Sequence, residues 1–534
     1  MRTPAHNQSQ TFTENGKQKT ENSVFYITTP IYYVNAEPHL GHAYTTVVAD
    51  ALARFHRLLG LETRFQTGTD EHGEKVMEAA AKAGLPVKEF VDRISARFRQ
   101  TWDDLDISYD RYIRTTSPEH VQVVREVLEK VHDAGDIYFG EYGGLYCFGC
   151  EAFYLERDLV DGKCPDHQVA PTPIKEENYF FRMSRYQGWL IDYINDYPDW
   201  IRPERFRNEV LSFLKEPLED LCISRPRNRV EWGIPLPFDE RYVTYVWFDA
   251  LLNYLTGLDY PQGENYRRFW PGVQHLIAKD ILKPHGIYWP TMLQAAGVEP
   301  FQHLNVHGYW QMDQGKMSKS LGNVVEPQYL AATYGVDQTR YFFLREMVFG
   351  LDAHFSEEAL ISRINSDLAN DLGNLLARSL GMAFKYRQGV VPAPGVPEAL
   401  DQEVAALAQN VANDFLQLFP ALEFSKALSR VWELISHLNR YIVASAPWEL
   451  AKDPQKAPRL DTVLYHLLES LRWLAALLRP VMPKSALKMS EQLGVGLSLW
   501  DLPLPQVLKW GRLLPGSTLN KGPALFPRIE AEEK

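Results

Sequence analysis

The stretch over residues 24–73 constrains the fold most, because it predicts a strand, a helix and a second strand in succession. Residues 24–29 are apolar and rich in strand formers, and a proline follows them. Apolar side chains then recur at helical spacing over residues 48–59, and a glycine ends that pattern. Residues 63–67 predict the next strand. This order predicts a βαβ unit and therefore a parallel sheet.

The predicted helix opens with His39, Leu40, Gly41 and His42. The first turn of a helix presents unpaired N–H groups at the positive end of its dipole, which favours a bound phosphate. Gly41 removes a side chain where a ligand could approach closely, and the two imidazoles project to one side and can donate to anionic oxygens. For an isolated tetrapeptide, two surface histidines beside a turn are the commoner explanation. The flanking strand and helix, and a second motif described below, favour the phosphate site.

Length and composition indicate an intracellular protein of several domains. A chain of 534 residues exceeds one ordinary core and suggests about three or four domains. The sequence contains no apolar run long enough to span a bilayer, so we expect no membrane association. Four cysteines argue against a disulfide scaffold and for a reducing compartment. With a net charge of -12, a nucleic-acid partner would need a local basic surface.

Strands and helices alternate in two parts of the chain, over residues 23–137 and 242–310. Residues 110–115, 242–249, 274–278 and 301–306 predict further strands, so we expect a doubly wound parallel sheet built in two halves. Residues 1–22 are polar and predict a disordered tail.

Two matched pairs of metal-ligand residues lie in the intervening segment, residues 138–241. Cys147 pairs with Cys150, and Cys164 pairs with His167, each with two residues between. This spacing is typical of two knuckles that close a tetrahedral zinc site. Ordinary buried cysteines are the alternative, but they would not explain why three of the four cysteines fall into these pairs. Four protein ligands leave no open position, so we expect one structural Zn²⁺ that stabilises a small insertion.

A second candidate phosphate motif follows the second half of the sheet, within residues 311–355. The sequence Gly-Lys-Met-Ser-Lys-Ser places Lys316 and Lys319 in a turn, and such a cationic loop can clamp a phosphate chain as charge develops on it. Taken alone, a solvated basic turn is the commoner explanation. Paired with the two upstream histidines in one split chain, the loop predicts the other side of the phosphate site.

Long amphipathic segments over residues 356–490 predict an α-helical bundle. Asn374 and Arg378 lie one helical turn apart, and Trp448 follows a proline. An amide, a guanidinium and an indole could stack on unpaired bases and hydrogen-bond to them. On sequence alone, a polar helix flank and a core tryptophan are the favoured alternative. Residues 491–534 predict a C-terminal segment that ends in an extended tail.

Together these motifs resemble the class I aminoacyl-tRNA synthetases over about residues 23–489. The His39 tetrapeptide matches the class's HIGH signature with leucine for isoleucine, and residues 316–320 match KMSKS letter for letter. Residues 29–35, 68–73 and 245–250 are similar to the substrate-pocket segments of bacterial-type methionyl-tRNA synthetases. The resemblance implies an α/β fold: a class I Rossmann-like, doubly wound parallel sheet, split by a zinc-binding insertion and followed by an α-helical bundle.

The resemblance also implies a role for each candidate residue. Asp70 would hold the methionine ammonium group, while Leu251 stands where many relatives carry proline. The thioether pocket would be lined by Ile31, Tyr33, Trp247, Ala250, Tyr254, His285 and Trp289. ATP would be bound by His39, Gly41, His42, Lys316, Ser318, Lys319 and Ser320, and catalysis would depend on His39, His42, Lys316 and Lys319. Asn374, Arg378 and Trp448 fall where the family reads the CAU anticodon.

The implied activity is the ATP-dependent ligation of L-methionine to tRNA(Met), including the initiator tRNA, through a methionyl-adenylate. ATP would enter with Mg²⁺. We expect a cytoplasmic monomer with one zinc, because the dimerising C-terminal extension of some relatives is not found here. Two alternatives stay open: a nucleotidyltransferase of the same HxGH-bearing fold that adenylates another small metabolite, and a catalytically silent tRNA-binding paralogue.

Overall fold

The computed structural model describes residues 24–147, 152–154, 156, 159–165, 168–312, 315–316 and 325–530. Some of the predictions concern positions outside the described residues, namely the tail 1–22, Cys150, His167, Ser318, Lys319 and Ser320.

The first part of the chain alternates strands and helices as predicted. Its elements are β1 (Val24–Tyr33), α1 (Leu40–Leu58), β2 (Glu62–Asp70), α2 (Glu74–Ala83), α3 (Val87–Asp104), β3 (Arg111–Arg114) and α4 (Pro118–Asp133). α2 ends where Gly84 adopts a left-handed conformation with φ of 68°. α4 begins with proline at its first position, where no backbone N–H is needed. β1 and β2 run parallel, so the predicted βαβ unit is confirmed.

The next part of the chain is mostly antiparallel. Its elements are β4 (Ile137–Cys147), β5 (Ala152–Tyr154), β6 (Thr172–Phe181), α5 (Gln187–Asp196), β7 (Ile201–Arg202), α6 (Glu204–Phe213), β8 (Leu221–Cys222), β9 (Ser224–Pro226), β10 (Pro235–Leu236) and β11 (Asp239–Thr244). They form one sheet of order β5-β4-β6-β8 and another of order β10-β11-β9. β7 leaves this part and pairs with the parallel sheet instead.

The α/β pattern resumes after β11. The elements are α7 (Val246–Ala250), α8 (Asn253–Thr256), α9 (Glu264–Phe269), β12 (Val273–Ala278), α10 (Trp289–Ala295), β13 (His303–His307), β14 (Trp310–Met312) and β15 (Gly315–Lys316). A π-helical turn, Pro284–Tyr288, precedes α10.

The predicted strand over residues 242–249 is wrong in its second half. The strand ends at Thr244 in an antiparallel sheet, and a helix begins at Val246. The aromatic and β-branched composition favours a strand locally. Tertiary contacts decide otherwise, because the carboxylate of Asp249 lies buried between two histidines of other elements.

The parallel sheet has the strand order β3-β2-β1-β12-β13-β7. β1 from the first half pairs directly with β12 from the second half, in parallel. The strand order therefore reverses between these two strands, and ligands bind at the carboxyl ends of strands at such a switch point. The expected doubly wound sheet in two halves is confirmed.

The described residues from 325 to about 508 are mainly helical, apart from the short strand β16 (Ala353–Phe355) beside β14. The helices are α11 (Pro327–Tyr334), α12 (Val336–Glu346), α13 (Glu357–Arg363), α14 (Asn374–Arg387), α15 (Ala399–Leu418), α16 (Phe424–Ser445), α17 (Pro447–Leu450), α18 (Ala457–Leu478), α19 (Pro483–Gln492), α20 (Leu497–Trp500) and α21 (Leu504–Val507). A π-helical segment, Ile364–Gly373, joins α13 to α14. Within the described ranges, every helix is too short or too polar to cross a bilayer.

The helical region shares its core with one face of the parallel sheet. A single apolar cluster contains Val48 of α1, Phe98 of α3 and Trp473 of α18, and the other face of the sheet has its own cluster. Arg340 of α12 is fully buried and lies 2.6 Å from the carboxylate of Asp50 on α1. Removal of one partner of a buried ion pair strongly destabilises the fold. The pair therefore stabilises the packing of α1 against the helical region.

The C-terminal segment is extended but packed, which differs from the predicted tail. Leu519 and Phe526 are buried. The buried carboxylate of Glu469 on α18 accepts hydrogen bonds from the backbone N–H groups of Gly511 and Leu513, at 2.8 and 3.0 Å. These contacts hold the described residues up to 530 against the helices, since a buried carboxylate needs its donors.

Candidate active site

A cavity of about 440 Å³ lies at the switch point between β1 and β12. Its walls come from the ends of β1, β2, β12 and β13 and from α1, α7 and α8. Ten residues named from the sequence border it: Ile31, Tyr33, His39, Gly41, His42, Asp70, Trp247, Ala250, Tyr254 and His285. The structure thus brings together side chains that are as far as 254 positions apart in the chain (Ile31 and His285), as the strand order requires.

The start of α1 holds both imidazoles of the tetrapeptide at the cavity. His39 is the N-cap, and its Nδ1 accepts a hydrogen bond from the Gly41 N–H at 3.1 Å. The Nδ1 of His42 accepts from the His39 N–H at 3.4 Å, and the two rings stack with centroids 3.7 Å apart. A neutral ring that accepts at Nδ1 carries its proton on Nε2. Both Nε2–H groups are therefore donors at the positive end of a helix dipole, which suits an anion.

Another part of the cavity lining is aromatic, with Tyr33, Trp247 and Tyr254. Tyr254 is buried and its hydroxyl lies 2.8 Å from Nε2 of His285. Because Nδ1 of His285 lies 3.0 Å from the carbonyl of Ile281, which can only accept, the proton is on Nδ1. The Tyr254 hydroxyl therefore donates to Nε2. Burial lowers the pKa of His285 to about 4, so the ring is neutral near pH 7.

Trp289 is the residue for which the structure differs from the predicted pocket lining. It is fully buried and does not border the cavity. Its indole N–H donates to Nε2 of His275 at 3.1 Å, and His275 lies 2.8 Å from the hydroxyl of Thr28. The ring centroid of Tyr254 is 5.8 Å from that of Trp289. Trp289 thus supports the aromatic wall from behind.

Several residues that border the cavity were not named as site residues from the sequence: Tyr32, Thr45, Lys75, Asn253, Asp280, His307, Tyr309 and Trp310. His307 ends β13, and Asp280 is the second residue after β12. Their position after parallel strands is the signal that could have identified them. Nδ1–H of His307 donates to the carbonyl of Gly308 at 2.6 Å, and burial lowers the pKa of this ring to about 4.

The lysine-rich motif begins beside the cavity. Lys316 lies in β15, whose backbone pairs with β14 so that Lys316 is opposite Gln311. Trp310, the neighbour of Gln311, borders the cavity. The structure therefore brings the base of this motif to the site of the two imidazoles, while Ser318, Lys319 and Ser320 lie outside the described residues.

Two of the four predicted zinc ligands are described, and both are buried. Cys147 is the last residue of β4. Cys164 lies in a tight turn, in which its N–H donates to the carbonyl of Val169 and its own carbonyl accepts from the Gln168 N–H. The other two ligands, Cys150 and His167, are outside the described ranges, within which no metal-binding cluster of three or more acidic, cysteine or histidine residues occurs.

The three candidate base-reading residues are on the surface of the helical region. Asn374 and Arg378 are exposed in the first turns of α14. Trp448 on α17 is 41% exposed, so the core position that the sequence alone favoured is wrong. α14 and α17 both pack against α18, so the three residues lie on helices that share one packing partner.

Comparisons with protein families match almost the whole chain. A family model described as class I tRNA synthetases (M) matches residues 25–172 and 167–380. A second model, described as the anticodon binding domain of methionyl tRNA ligase, matches residues 391–534. Asn374 and Arg378 thus fall in the first match and Trp448 in the second.

Individual relatives agree with these matches. The methionine–tRNA ligase of Caldanaerobacter subterraneus is 48% identical over 512 residues, which cover 96% of this chain and 80% of the relative. The Bacillus subtilis ligase is 45% identical over 532 residues, which cover 96% and 79%. A solved structure of Mycobacterium tuberculosis methionyl-tRNA synthetase in complex with methionyl-adenylate has a TM-score of 0.90 and 42% identity, covering 95% of this chain and all of that one.

Proposed function

Because the chain belongs to the class I methionyl-tRNA synthetases and is a methionine–tRNA ligase, we propose that the cavity at the switch point is its active site. The reaction ligates L-methionine to tRNA(Met) with ATP, through a methionyl-adenylate. The observation that carries the proposal is that two stacked imidazoles at a helix start and an aromatic wall border the same cavity. A nucleotidyltransferase without a tRNA substrate would not need the helical region, and a silent paralogue would not need this pairing of imidazoles and aromatic wall.

The aromatic end of the cavity takes methionine. Asp70 receives the ammonium group, since a carboxylate at the end of β2 borders the cavity. The thioether lies among Ile31, Tyr33, Trp247, Ala250, Tyr254 and His285, with Trp289 behind them. A polarizable sulfur makes favourable contacts with aromatic rings, and a neutral His285 adds no charge to the wall.

The end near α1 takes Mg-ATP, whose metal ion offsets part of the phosphate charge. Nε2–H groups of His39 and His42 donate to the phosphates, and Gly41 lets the backbone approach them. Lys316, Ser318, Lys319 and Ser320 bind the phosphates as well. These groups serve best when they match the charge that develops in the transition state rather than the ground state.

The chemistry is two successive displacements. An oxygen of the methionine carboxylate attacks the α-phosphorus, and the bond from that phosphorus to pyrophosphate breaks. A terminal ribose hydroxyl of tRNA then attacks the methionyl carbonyl, loses its proton, and AMP leaves. No covalent bond to the chain is formed, so the residues act by positioning and electrostatics.

Lys319→Ala tests this account of the phosphate site. The variant should exchange pyrophosphate into ATP more than about tenfold more slowly, because one charged hydrogen bond is worth ~1.5–3 kcal/mol. Methionine affinity should stay within about twofold, since the lost group contacts only phosphate. Lys88→Ala is the control, because Lys88 pairs with Asp92 on the exposed face of α3. Wild-type exchange in Lys319→Ala would contradict the role.

Asn374, Arg378 and Trp448 bind the CAU anticodon of tRNA(Met), including the initiator. Their exposure on helices that share α18 supports this role. Unpaired bases are bound by stacking and by hydrogen bonds to their edges, which an indole, a guanidinium and an amide can provide.

A structural Zn²⁺ held by Cys147, Cys150, Cys164 and His167 is a further part of the proposal. The donor set fits zinc, because three thiolates and one imidazole are typical of closed tetrahedral sites. The burial of Cys147 and Cys164 supports it as well. Metal analysis should find about one zinc per chain in the wild type and less in Cys164→Ser. Folded, active wild type without metal would contradict the site.

The working form is a monomer in the cytoplasm. A low cysteine content, four in 534 residues, supports a reducing compartment. Light scattering on the full chain measures the oligomeric state, and a mass of one chain is expected. A mass of two chains at micromolar concentration would contradict the monomer.

A further inference from the structure

A buried carboxylate between two histidines lies next to the methionine wall. Asp249 of α7 has a 1% exposed side chain, and each of its two oxygens has its own partner. Oδ2 lies 2.6 Å from Nδ1 of His72, and Oδ1 lies 2.8 Å from Nε2 of His120. Neither His72 nor Asp249 borders the cavity, although both belong to segments that contain cavity residues.

The donors and acceptors of this cluster are determined. The two histidines hold the pKa of the Asp249 carboxyl to about 2, so it is ionised and only accepts. His72 and His120 therefore both donate N–H groups to it. The second ring nitrogen of His120 lies 2.9 Å from the hydroxyl of Thr256 on α8. Hydrogen bonds of the cluster thus join the end of β2, α4, α7 and α8. The cluster is buried, and hydrogen bonds are stronger where water is excluded.

The cluster connects the two groups of elements that border the proposed methionine site, namely the end of β2 and the helices α7 and α8. His72 follows Asp70 at the end of β2, and the intervening Glu71 is fixed by Arg114 at 2.6 Å. Asp249 and Thr256 lie on α7 and α8, the helices that contribute Trp247, Ala250 and Tyr254 to the wall. A substrate with an ammonium group at one end and a thioether at the other requires a set spacing between these sides.

We infer that Asp249 is a positioning residue that sets the distance between Asp70 and the aromatic wall, and thereby the length of side chain the enzyme accepts. The inference rests on the proposed function of the cavity. It assigns Asp249 no contact with methionine. Residues that hydrogen-bond behind a binding site keep its side chains within about 0.5 Å of the geometry that binding requires.

Asp249→Asn is the test, since asparagine keeps the size but can accept from only one of the two N–H groups. In ATP–pyrophosphate exchange, the methionine KM should rise about tenfold or more, with the ATP KM within about twofold, because only the methionine end shifts. Ethionine has a side chain one methylene longer than that of methionine. The ratio of kcat/KM for ethionine to kcat/KM for methionine should change by at least about threefold. A merely structural role would lower the active fraction without moving this ratio.

Asp401→Asn is the matched control. Asp401 is a buried carboxylate of α15 that accepts from Tyr441 and Arg459, far along the chain from the cavity residues. The Asp401→Asn variant should be less stable than the wild type. Its methionine KM, and its ratio of kcat/KM for ethionine to that for methionine, should be unchanged. His120→Gln is the second variant, should Asp249→Asn not fold, and it should move the same ratio in the same assay.

Asp70→Asn separates the inference from the function on which it rests. If Asp70→Asn leaves the methionine KM unchanged, the proposed cavity function fails and the inference fails with it. If Asp70→Asn raises the KM while folded Asp249→Asn and His120→Gln keep wild-type KM and ratio, only the positioning role is overturned. A rise in KM in all three variants, with the control unchanged, supports both.

Discussion

The cavity and the surface around Trp448, for which we propose ligands of very different size, differ in how their side chains are held. At the cavity, Tyr254 and His285 are buried and hydrogen-bonded to each other. In the helical region, Asn374 and Arg378 are exposed at the start of α14, and Trp448 is 41% exposed. A small substrate is selected by a wall fixed before it arrives, whereas bases of a large partner must find side chains that reach into solvent.

The two regions are nevertheless one packed unit. α1, which begins with the two imidazoles, carries Asp50 two turns later, and Asp50 pairs with the buried Arg340 of α12. Arg340 also donates to the carbonyl of Val481, just after α18, at 3.0 Å. Substitutions of cavity or surface side chains that leave these buried contacts intact should keep the shared fold. Each should then change only the step that involves its own ligand, and the predictions below use that separation.

The largest expected effect is from His42→Ala, which removes a donor to the phosphates. The rate of pyrophosphate exchange should fall about a hundredfold, as for the loss of one preorganised donor to a developing charge. Binding of tRNA(Met) should be unchanged, because the helical surface is untouched. His132→Ala is the control, since His132 stacks on Phe238 at the end of α4. Equal losses of pyrophosphate exchange and tRNA binding in His42→Ala would contradict the separate roles of the two regions.

An intermediate effect is expected for Trp448→Ala. The kcat/KM for charging of tRNA(Met) should fall about tenfold or more, because stacking on one base is worth ~1–3 kcal/mol. Pyrophosphate exchange, which needs no tRNA, should stay at the wild-type rate. Trp448→Phe keeps an aromatic face and should recover part of the loss. Normal charging by Trp448→Ala would show that this exposed indole does not contact the anticodon.

The smallest effect is a pH dependence of stability that comes from three histidines of the α/β part of the chain. Burial lowers the pKa of His56, His285 and His307 to about 4, below the usual value of about 6.5 in the unfolded chain. Between about pH 6.5 and 4 the unfolded chain binds more protons, so stability falls as the pH falls through this window. Each histidine accounts for roughly 1 kcal/mol at pH 5.5.

His56→Phe sharpens that prediction. The ring of His56 stacks on Phe25 with centroids 3.5 Å apart, and phenylalanine can stack there without taking up a proton. Thermal midpoints at pH 7 and pH 5 measure the effect, and the variant should lose less stability than the wild type on acidification. The depressed pKa of Asp249 acts only at lower pH, between about 4 and 2, so it does not enter this window. An unchanged difference between the midpoints would contradict the assignment.

Much of the fold could be predicted from local pattern. Apolar spacing and the glycine and proline signals were enough for β1, α1 and β2 and for the long helices α14, α15, α16 and α18. The failure at α7 has a physical cause, because a strand-like composition yields to the burial of Asp249 between His72 and His120, which lie far away in sequence. No local signal reports such a partner.

Site residues that belong to a sequence motif could be predicted. Site residues that reach the cavity only through the order of the strands could not. The tetrapeptide of α1 and the segment of Asp70 were identified, whereas His307 and Asp280 border the cavity only because β12 and β13 end beside β1. The outward position of Trp448 and the inward position of Trp289 likewise depend on packing between elements, which spacing along one helix does not encode.

A crystal structure of the full chain with a non-hydrolysable methionyl-adenylate analogue tests the central claim most directly. The account predicts the thioether against Tyr254 and Ala250, the ammonium group at Asp70, and the phosphate-mimicking group beside Nε2 of His39 and His42. An analogue bound outside this cavity, or bound in it with both imidazoles away from the phosphate position, would contradict the account.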